Sequence, residues 1–191
     1  MAQARQAAAS EQAPRADVAR DYNFAADILD RNLKAGRAGK AAFIDVRGSW
    51  TYGQLADRVA RFAAALRALG VRREERVLLC MLDTIDWPTA FLGCLKAGVV
   101  AVPVNTLMTE DDYRFMLADS RARLLVVSDA LYPRFEKPIK ESPDLEHVVV
   151  SGDSVHGHRA FEDLIASAKP DPATAATKRD RKSTRLNSSH V

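Results

Sequence analysis

Apolar and polar residues in the middle of the chain follow the order strand, helix, strand. Residues 76–82 and 99–104 are short apolar runs of strand length, and residues 86–97 between them carry apolar positions at helical spacing. A tight hairpin cannot join parallel strands, so a helix-length crossover indicates that the two strands are parallel neighbours in one sheet. The nearly continuous apolarity of both runs predicts burial on both faces. We expect Asp86 to cap the N-terminus of the helix and Gly98 to end it in a left-handed conformation.

The alternation of strands and helices continues on both sides of this unit. The pattern predicts a first helix over residues 22–33, whose buried stripe is Phe24, Ile28 and Leu29. A second helix is predicted from a capping box at Thr51–Gln54 to Leu69. Two further helices are predicted from Thr109 through Leu117 and around residues 161–165. It predicts strands over residues 42–46, 49–52, 124–128 and 147–150, with a hairpin turn at Arg47-Gly48 between the first two. Two prolines leave residues 131–140 ambiguous. Strands that alternate with helices in this way predict an α/β fold with a largely parallel sheet flanked by helices.

The two ends of the chain lack these patterns. Residues 1–20 are rich in Ala, Gln and Arg and predict a disordered leader, which leaves residues 21–170 as one α/β subdomain. Residues 171–180 have the composition of a linker. Residues 181–191, RKSTRLNSSHV, have no usable periodicity and look like translated sequencing-adaptor sequence. We interpret them as a non-native tail and exclude them from the fold.

The net charge of +3 comes from this tail, because Arg181, Lys182 and Arg185 are basic and residues 181–191 contain no acid. The body of the chain is therefore neutral, and its charge gives no support for nucleic-acid binding. No apolar run approaches the ~20 residues that span a bilayer, and the N-terminus lacks the apolar segment of a secretory signal. We expect a cytoplasmic protein without a membrane partner.

Candidate chemistry in the sequence is sparse. Ligands of open parallel sheets bind beyond the carboxyl ends of the strands, which directs attention to residues 82–86 and 105–109. Asp83 and Asp86 could act there as an acid and a base, although helix capping and solvation are the favoured explanation for both. The chain has neither G-x-G-x-x-G nor G-x-x-x-x-G-K-[ST], so no phosphate-binding loop is recognisable.

The histidines and cysteines give no assembled site either. His156 and His158 could form a metal pair, but no cysteine or acid at ligand spacing completes it, so we interpret this stretch as an exposed loop and predict no metal ligands. Cys80 and Cys94 fall at apolar positions of a strand and a helix. We interpret both as small buried hydrophobic residues rather than as a disulfide or a nucleophile.

Several short motifs lie between residues 50 and 105. They are W-T-Y-G-Q-L at 50–55, A-L-G-V at 68–71, R-V-L-L at 76–79, W-P-T-A-F-L-G-C-L-K-A-G at 87–98 and V-P-V-N at 102–105. Together they resemble the N-terminal part of the acyl-adenylate-forming enzymes, the superfamily of AMP-dependent synthetases and ligases. Residues 22–33, 81–98 and 105–128 look most like its aryl branch, the benzoate–CoA ligases. The resemblance covers residues 21 to about 178 and implies a partial N-terminal subdomain of such an enzyme.

This resemblance implies an ATP-dependent aryl-CoA ligase that uses Mg-ATP and coenzyme A and acts on a small aromatic carboxylate. The carboxylate attacks the α-phosphate of ATP and gives an acyl-adenylate and pyrophosphate, and the thiol of coenzyme A then displaces AMP. The logic is an exchange of leaving groups, since a carboxylate cannot expel oxide whereas an acyl-adenylate can expel AMP. Positioning and electrostatic stabilisation of the phosphoryl group would supply the catalysis.

The resemblance places the reactive groups of such an enzyme beyond residue 180. Its Ser/Thr/Gly-rich phosphate loop would follow Lys178-Arg179-Asp180, so no catalytic residue is carried over and we expect the fragment to be inactive alone. The turn Asn105-Thr106-Leu107 is the cofactor-binding candidate, on the coenzyme A side. In some relatives this turn carries an arginine that contacts the coenzyme A nucleotide, and here Leu107 occupies the matching position. A turn that only packs the subdomain is the alternative.

Two further alternatives stay open. Within the enzyme class, the acid could be a hydroxybenzoate, an aminobenzoate or an alicyclic acid, because the residues that would form the acid pocket lie beyond this chain. The chain could instead be a stand-alone binding module of flavodoxin-like shape, which would need a ligand of its own.

Overall fold

The computed structural model describes residues 21–178. In chain order the elements are α1 (Phe24–Lys34), β1 (Ala41–Asp45), β2 (Gly48–Thr51), α2 (Tyr52–Ala68), β3 (Arg76–Cys80), α3 (Asp86–Ala97), β4 (Val100–Pro103), α4 (Glu110–Ser120), β5 (Leu124–Ser128), a 3-10 helix (Asp129–Arg134), α5 (Glu136–Lys140), β6 (His147–Ser151), β7 (Arg159–Ala160) and α6 (Phe161–Ser167). The expected leader at 1–20, the last two residues of the expected linker and the expected tail at 181–191 lie outside the described residues. Over residues 21–178, no helix is both long and apolar enough to cross a bilayer.

Five strands form one parallel sheet in the order β4-β3-β5-β6-β7. The crossover through α3 leads from β3 to β4 on one side, and the chain then returns through α4 to β5 on the other side of β3. Val77 in β3 therefore pairs with Ala101 on one side and with Leu124 on the other. The predicted α/β fold with a parallel sheet flanked by helices is confirmed. Strand β7 is missing from the prediction because two residues are too few to show a period.

Helices cover both faces of this sheet, which explains why its strands are apolar throughout. Successive side chains of a strand point to opposite faces. Val77 and Leu79 pack with α2, α3 and α6, whereas Leu78 and Cys80 pack with α4 and the 3-10 helix. All four side chains are fully buried. Burial of apolar surface on two faces is the main term that stabilises this layer, at about 25 cal/mol per Å².

Helix α1 and the β1–β2 hairpin pack outside α2 and α3 in a third cluster. The antiparallel hairpin is confirmed, with Asp45 opposite Gly48. In α1, Ala25 and Leu29 are buried, whereas Phe24 is 46% exposed. The predicted stripe is therefore wrong at its first position. Residues four apart lie on one helix face, so it is Ala25 that shares the buried face with Leu29.

The predicted capping box at the start of α2 is confirmed, and the predicted helix start at Thr109 also has a capping box. The Thr51 side chain accepts a hydrogen bond from the Gln54 amide, and the Gln54 side chain accepts one from the Thr51 amide. Thr109 and Asp112 make the same reciprocal pair at the start of α4. The C-terminus of α3 is also as predicted, since Gly98 ends it with φ of 75°.

The start of α3 differs from the prediction. The N-cap is Ile85, which makes no side-chain capping bond, and Asp86 is the first residue of the helix. Asp86 is only 1% exposed because its carboxylate turns inward to the Arg58 guanidinium. The predicted capping role of Asp86 is therefore wrong.

Residues 171–178, here called the C-terminal strap, run along the outside of α2, α3 and α1. The contacts that fix the strap are an ion pair from Asp171 to Arg67 at 2.6 Å, a bond from the Ala175 amide to Lys96 O at 2.8 Å, and a bond from the Tyr22 amide to Thr177 O at 3.0 Å. Gly98 allows the close approach, because a Cβ at that position would lie 2.7 Å from the Ala175 Cβ. The strap brings Lys178 next to Asp21, with which it forms an antiparallel bridge.

Candidate functional site

The carboxyl ends of β3, β5 and β6 meet at one edge of the sheet and border a cavity of about 340 Å³. The crossover direction reverses at β3, and such a switch point is where open α/β sheets bind their ligands. The lining of this carboxyl-edge cavity includes Arg47, Thr84, Ser128, Asp129, Asp153 and Glu162. It is the place where the topology would put a functional site.

An ion network centred on the buried Asp86 reaches the cavity through Glu162. Arg58 Nη2 donates to Asp86 Oδ1 at 2.5 Å, and the same guanidinium donates to the two carboxylate oxygens of Glu162 at 2.8 and 3.0 Å. The Ser151 hydroxyl donates to Asp86 Oδ2 at 2.7 Å. Both oxygens of the Asp86 carboxylate are therefore occupied.

The hairpin joins this network through Arg47 and Asp45. Arg47 Nη2 lies 3.0 Å from Asp86 Oδ1, and Arg47 Nη1 lies 3.4 Å from Glu162 Oε1. Asp45 Oδ2 accepts the Ile85 amide at 2.7 Å and lies 3.7 Å from Arg47 Nε. The network thus ties the hairpin to α2, to the start of α3, to the end of β6 and to α6.

Three members of the network have shifted pKa values. Burial alone would raise the pKa of Asp45, but the backbone and indole N–H groups that bond to it hold that pKa below its ordinary value. Burial also works against the charge on Glu162, yet the Arg58 guanidinium keeps its pKa lowered. The pKa of Arg47 is raised because its bond to Asp86 outweighs the effect of burial. All three groups are therefore held in their charged forms at neutral pH.

Asp86, at the centre of the network, positions secondary structure and offers no acid or base to a ligand. Asp86 is sealed from solvent with both oxygens bound, so its carboxylate has no access to a proton donor in the cavity. Asp83 is exposed, unlike Asp86. The two aspartates that the sequence offered as an acid and a base thus lie in opposite environments, and the structure does not support that role for them.

The open side of the carboxyl-edge cavity is acidic. Asp129 accepts a hydrogen bond from the Asp153 amide at 3.0 Å, which draws the loop after β6 towards β5. Gly152 permits this contact, because its φ is +135° and a Cβ there would lie 2.3 Å from the carboxyl carbon of Asp129. The carboxylates of Asp129, Asp153 and Glu162 outnumber the single guanidinium of Arg47 in the lining. Such a surface repels phosphate, so this cavity is not a cradle for ATP.

The turn Asn105-Thr106-Leu107 lies beyond β4 at the same edge of the sheet. Asn105 Oδ1 accepts the Leu107 amide at 2.9 Å, and the Tyr113 hydroxyl donates to Asn105 O at 2.9 Å. Burial raises the pKa of Tyr113 to about 12, so its hydroxyl remains a donor. Arg134 Nη1 donates to Thr106 O at 3.2 Å. The turn is held in place by these bonds and presents the Leu107 side chain, 83% exposed, to its surroundings.

His156 and His158 meet at an aromatic ring. Tyr132 stacks on His156 with ring centroids 4.1 Å apart, and the Tyr132 hydroxyl lies 2.8 Å from His158 Nε2. Burial lowers the pKa of His158, and the nearby charge of His156 lowers it further. Across residues 21–178, no group of three or more His, Cys, Asp or Glu side chains is arranged to hold a metal ion.

Cys80 and Cys94 are free and buried, as predicted. Burial raises the pKa of both thiols, and a protonated, inaccessible thiol is a poor nucleophile.

Arg58 is the central residue that the sequence analysis missed. It lies three residues after Leu55 and four before Phe62, so it falls on the buried face of α2. A charged residue on an apolar face requires a buried partner, and this signal could have revealed the network. Glu162 gives no such signal, because an acidic residue in the first turn of a helix is ordinary.

The fold and the position of the cavity define a doubly wound α/β domain with parallel strands. Its strand order corresponds to the flavodoxin-like order. A family model described as AMP-binding enzyme matches residues 29–186. The chain belongs to this family of AMP-binding enzymes.

Relatives of the chain are acid–CoA ligases. A benzoate–CoA ligase of Thauera aromatica is 48% identical over 160 residues, which are 83% of this chain and 30% of that protein. A 4-hydroxybenzoate–CoA/benzoate–CoA ligase of Rhodopseudomonas palustris is 42% identical over 83% of this chain and 29% of its own length. The crystal structure of an anthranilate CoA ligase in complex with anthranoyl-AMP has a TM-score of 0.81 at 37% identity, over 85% of this chain and 31% of that one. The chain thus spans about 30% of the length of the relatives it matches.

Proposed function

We propose that this chain forms the first α/β layer of an ATP-dependent aryl-CoA ligase. The whole protein would convert benzoate, ATP and coenzyme A to benzoyl-CoA, AMP and pyrophosphate through benzoyl-adenylate, in the cytoplasm. The observation that carries the proposal is the 48% identity to a benzoate–CoA ligase along 160 residues. Hydroxybenzoate, aminobenzoate and alicyclic acids are the alternative substrates. Similarity to proteins named for 4-hydroxybenzoate and for anthranilate, an aminobenzoate, supports the first two alternatives.

The 191-residue chain alone is proposed to be inactive. In the described residues the buried carboxylate of Asp86 is locked by Arg58 and Ser151, and the carboxyl-edge cavity is acidic where a triphosphate would need positive charge. Adenylate formation needs groups that stabilise charge on the phosphoryl oxygens as the carboxylate attacks. The phosphate loop that the resemblance implies is not part of this sequence.

Exchange of labelled pyrophosphate into ATP in the presence of benzoate tests both statements. We expect no exchange above the blank from the 191-residue chain, and exchange from a protein extended with the source DNA to the length of the relatives. Exchange by the short chain would refute its inactivity. An extended protein that exchanges with none of the aryl and alicyclic acids would refute the ligase assignment.

The Asn105-Thr106-Leu107 turn is proposed to face coenzyme A in the whole enzyme. Its support is the fixed backbone at the carboxyl edge of the sheet and the uncovered Leu107 side chain. In the extended enzyme, Leu107→Glu should raise the KM for coenzyme A several-fold, because its charge repels the coenzyme phosphates, and should leave the exchange reaction unchanged. Phe115→Glu is the matched control, since Phe115 is another exposed apolar residue, on α4. Equal effects of the two variants on the KM for coenzyme A would contradict the proposed role.

A stand-alone binding module is the second candidate, and the flavodoxin-like strand order favours it. Flavodoxin-like proteins hold a phosphate at the switch point, whereas the cavity here carries Asp129 and Asp153. Titration with flavin mononucleotide tests this candidate through quenching of flavin fluorescence. We expect no binding, and saturable binding by the 191-residue chain would favour the module over the ligase.

A further inference from the structure

The loop between β6 and β7, residues 152–158, folds back onto the 3-10 helix. Three of its residues have a positive φ, which is 135° at Gly152, 51° at His156 and 81° at Gly157. Glycine adopts such a backbone freely, whereas other residues rarely do. The conformation at His156 therefore depends on contacts that hold the loop in place.

Two residues of the 3-10 helix supply these contacts. The Tyr132 ring stacks on the His156 imidazole with the ring centroids 4.1 Å apart and the planes 6° from parallel. The Tyr132 hydroxyl lies 2.8 Å from Nε2 of His158. Near the start of the loop, the Asp153 amide donates to Asp129 Oδ2 at 3.0 Å. Both histidines of the loop therefore meet at one buried tyrosine, and the loop is held at both ends.

Protonation of His158 works against this arrangement. A neutral imidazole can accept a hydrogen bond from the Tyr132 hydroxyl, whereas an imidazolium can only donate. Burial, together with the charge of His156, holds the pKa of His158 in the closed loop below its ordinary value. In an open loop the ring is in water, where the pKa of a histidine is about 6.5. As the pH falls from about 6.5 towards the lower pKa of the closed form, the open form binds more protons, so the closed loop loses stability.

The surroundings of His158 provide no ion pair that would offset a charge on its ring. Over residues 21–178, no carboxylate forms an ion pair with the His158 imidazole. The titratable and charged groups on the elements around the loop are Asp129 and Tyr132 of the 3-10 helix, Glu136 of α5, Asp153 and His156 of the loop itself, Glu146 and His147 at the start of β6, and Arg159 of β7. The His147 ring bonds elsewhere, with Nε2 2.9 Å from Leu69 O.

We propose that residues 152–158 form an acid-sensitive latch, which is closed on Tyr132 while His158 is neutral and is released when His158 is protonated. Gly152 and Asp153 of the same loop line the carboxyl-edge cavity. Release of the latch would therefore open the cavity on the side of β6. The latch is a property of the described fold, so it does not depend on the proposed ligase function.

Hydrogen exchange at the Asp153 amide tests the latch in the 191-residue chain. The protection factor, which corrects for the intrinsic effect of pH on exchange, is measured from about pH 7.5 to about pH 5.5. Side-chain carboxyl groups ordinarily titrate at about pH 4, so this range isolates the histidines. We expect the protection factor to fall about three- to tenfold. About tenfold is the limit, because a single histidine with a pKa of about 6.5 in the open loop can supply no more at one unit below that pKa.

Two variants assign the fall to one histidine. His158→Gln keeps a side-chain amide near the Tyr132 hydroxyl but does not titrate, so its protection factor should change less than about twofold over the same range. His147→Gln is the matched control, because His147 bonds to Leu69 O, and this variant should keep the full fall. An equal fall in His158→Gln, or loss of the fall in His147→Gln, would overturn the proposal.

The unsubstituted chain gives a second measurement that needs no variant to fold. The imidazole proton signals of His158 in a nuclear magnetic resonance titration should shift with a midpoint below about pH 6.5. A midpoint at or above that value would contradict the latch. A protection factor at Asp153 that falls less than about twofold in the unsubstituted chain would contradict it as well.

Discussion

Removal of the Arg58 guanidinium is the most informative perturbation of the described fold. Arg58 is 9% exposed and bonds to Asp86 and Glu162, and Asp86 itself is 1% exposed. In an Arg58→Ala variant the Asp86 carboxylate stays buried and loses its shortest partner. Breaking a buried ion pair in this way typically costs about 3–5 kcal/mol.

The retained contacts of Asp86 place the expected loss at the lower end of that range. Arg47 remains 3.0 Å from Asp86 Oδ1, and Ser151 still donates to Oδ2. We therefore expect the free energy of unfolding to fall by about 3 kcal/mol at pH 7. For a domain of this size, such a loss lowers Tm by roughly 6–12 °C.

Urea unfolding followed by circular dichroism measures this loss. Arg31→Ala is the matched control, because Arg31 pairs with Asp27 across one helical turn and its side chain is 71% exposed. The control should lose less than about 0.5 kcal/mol. A loss for Arg58→Ala equal to that of the control would refute the claim that the network stabilises the fold. In a double-mutant cycle, Arg58→Ala and Asp86→Ala should show a coupling of at least about 1.5 kcal/mol.

Three further predictions follow from backbone strain, titration and thiol burial. In urea unfolding, Gly98→Ala should destabilise the fold by about 1–3 kcal/mol more than Gly70→Ala. Both positions have φ near +75°, but only at Gly98 would the new Cβ contact the C-terminal strap, at 2.7 Å from the Ala175 Cβ. Equal losses for the two variants would contradict a docked strap. The pKa of Glu162 is lowered, so its stabilising effect is complete at neutral pH and is lost as the pH falls from about 4.3 through the lower folded pKa. Below pH 5, the Tm of Glu162→Gln should therefore fall less steeply with pH than the Tm of the unsubstituted chain. The same pH dependence of Tm in both proteins would contradict the stabilising role of the Glu162 ion pairs. A thiol reagent should label Cys80 and Cys94 only after unfolding, and rapid labelling of the native chain would show that they are not buried.

The sequence predicted the sheet well because the signals of its elements are local and strong. The crossover between residues 76 and 104 has continuous apolar strands, and the residues at Thr51 and Gly98 specify helix ends through bonds within a few residues. Because the strands are buried on both faces, their residues do not alternate between apolar and polar. That alternation is typical of an antiparallel sheet with one face in solvent. Such patterns depend on neighbours in the chain, so they can be interpreted without knowledge of the fold.

The site could not be predicted in the same way, because its contacts join distant parts of the chain. Asp86 has the position and residue type of a helix cap, and only the approach of Arg58 and Ser151, 28 and 65 residues away, turns it inward. The acidic character of the carboxyl-edge cavity likewise depends on Asp129 meeting the loop after β6. The domain limits and the coenzyme A role of the turn at Leu107 remain predictions.

The sequence of the source DNA beyond codon 180 tests the central claim most directly. That claim is that the described layer belongs to an aryl-CoA ligase whose reactive groups are encoded downstream. We predict that the native reading frame continues, within a few codons, into a loop rich in glycine, serine and threonine that ends in lysine. Native codons for residues 181–191 followed by a natural stop would contradict the account.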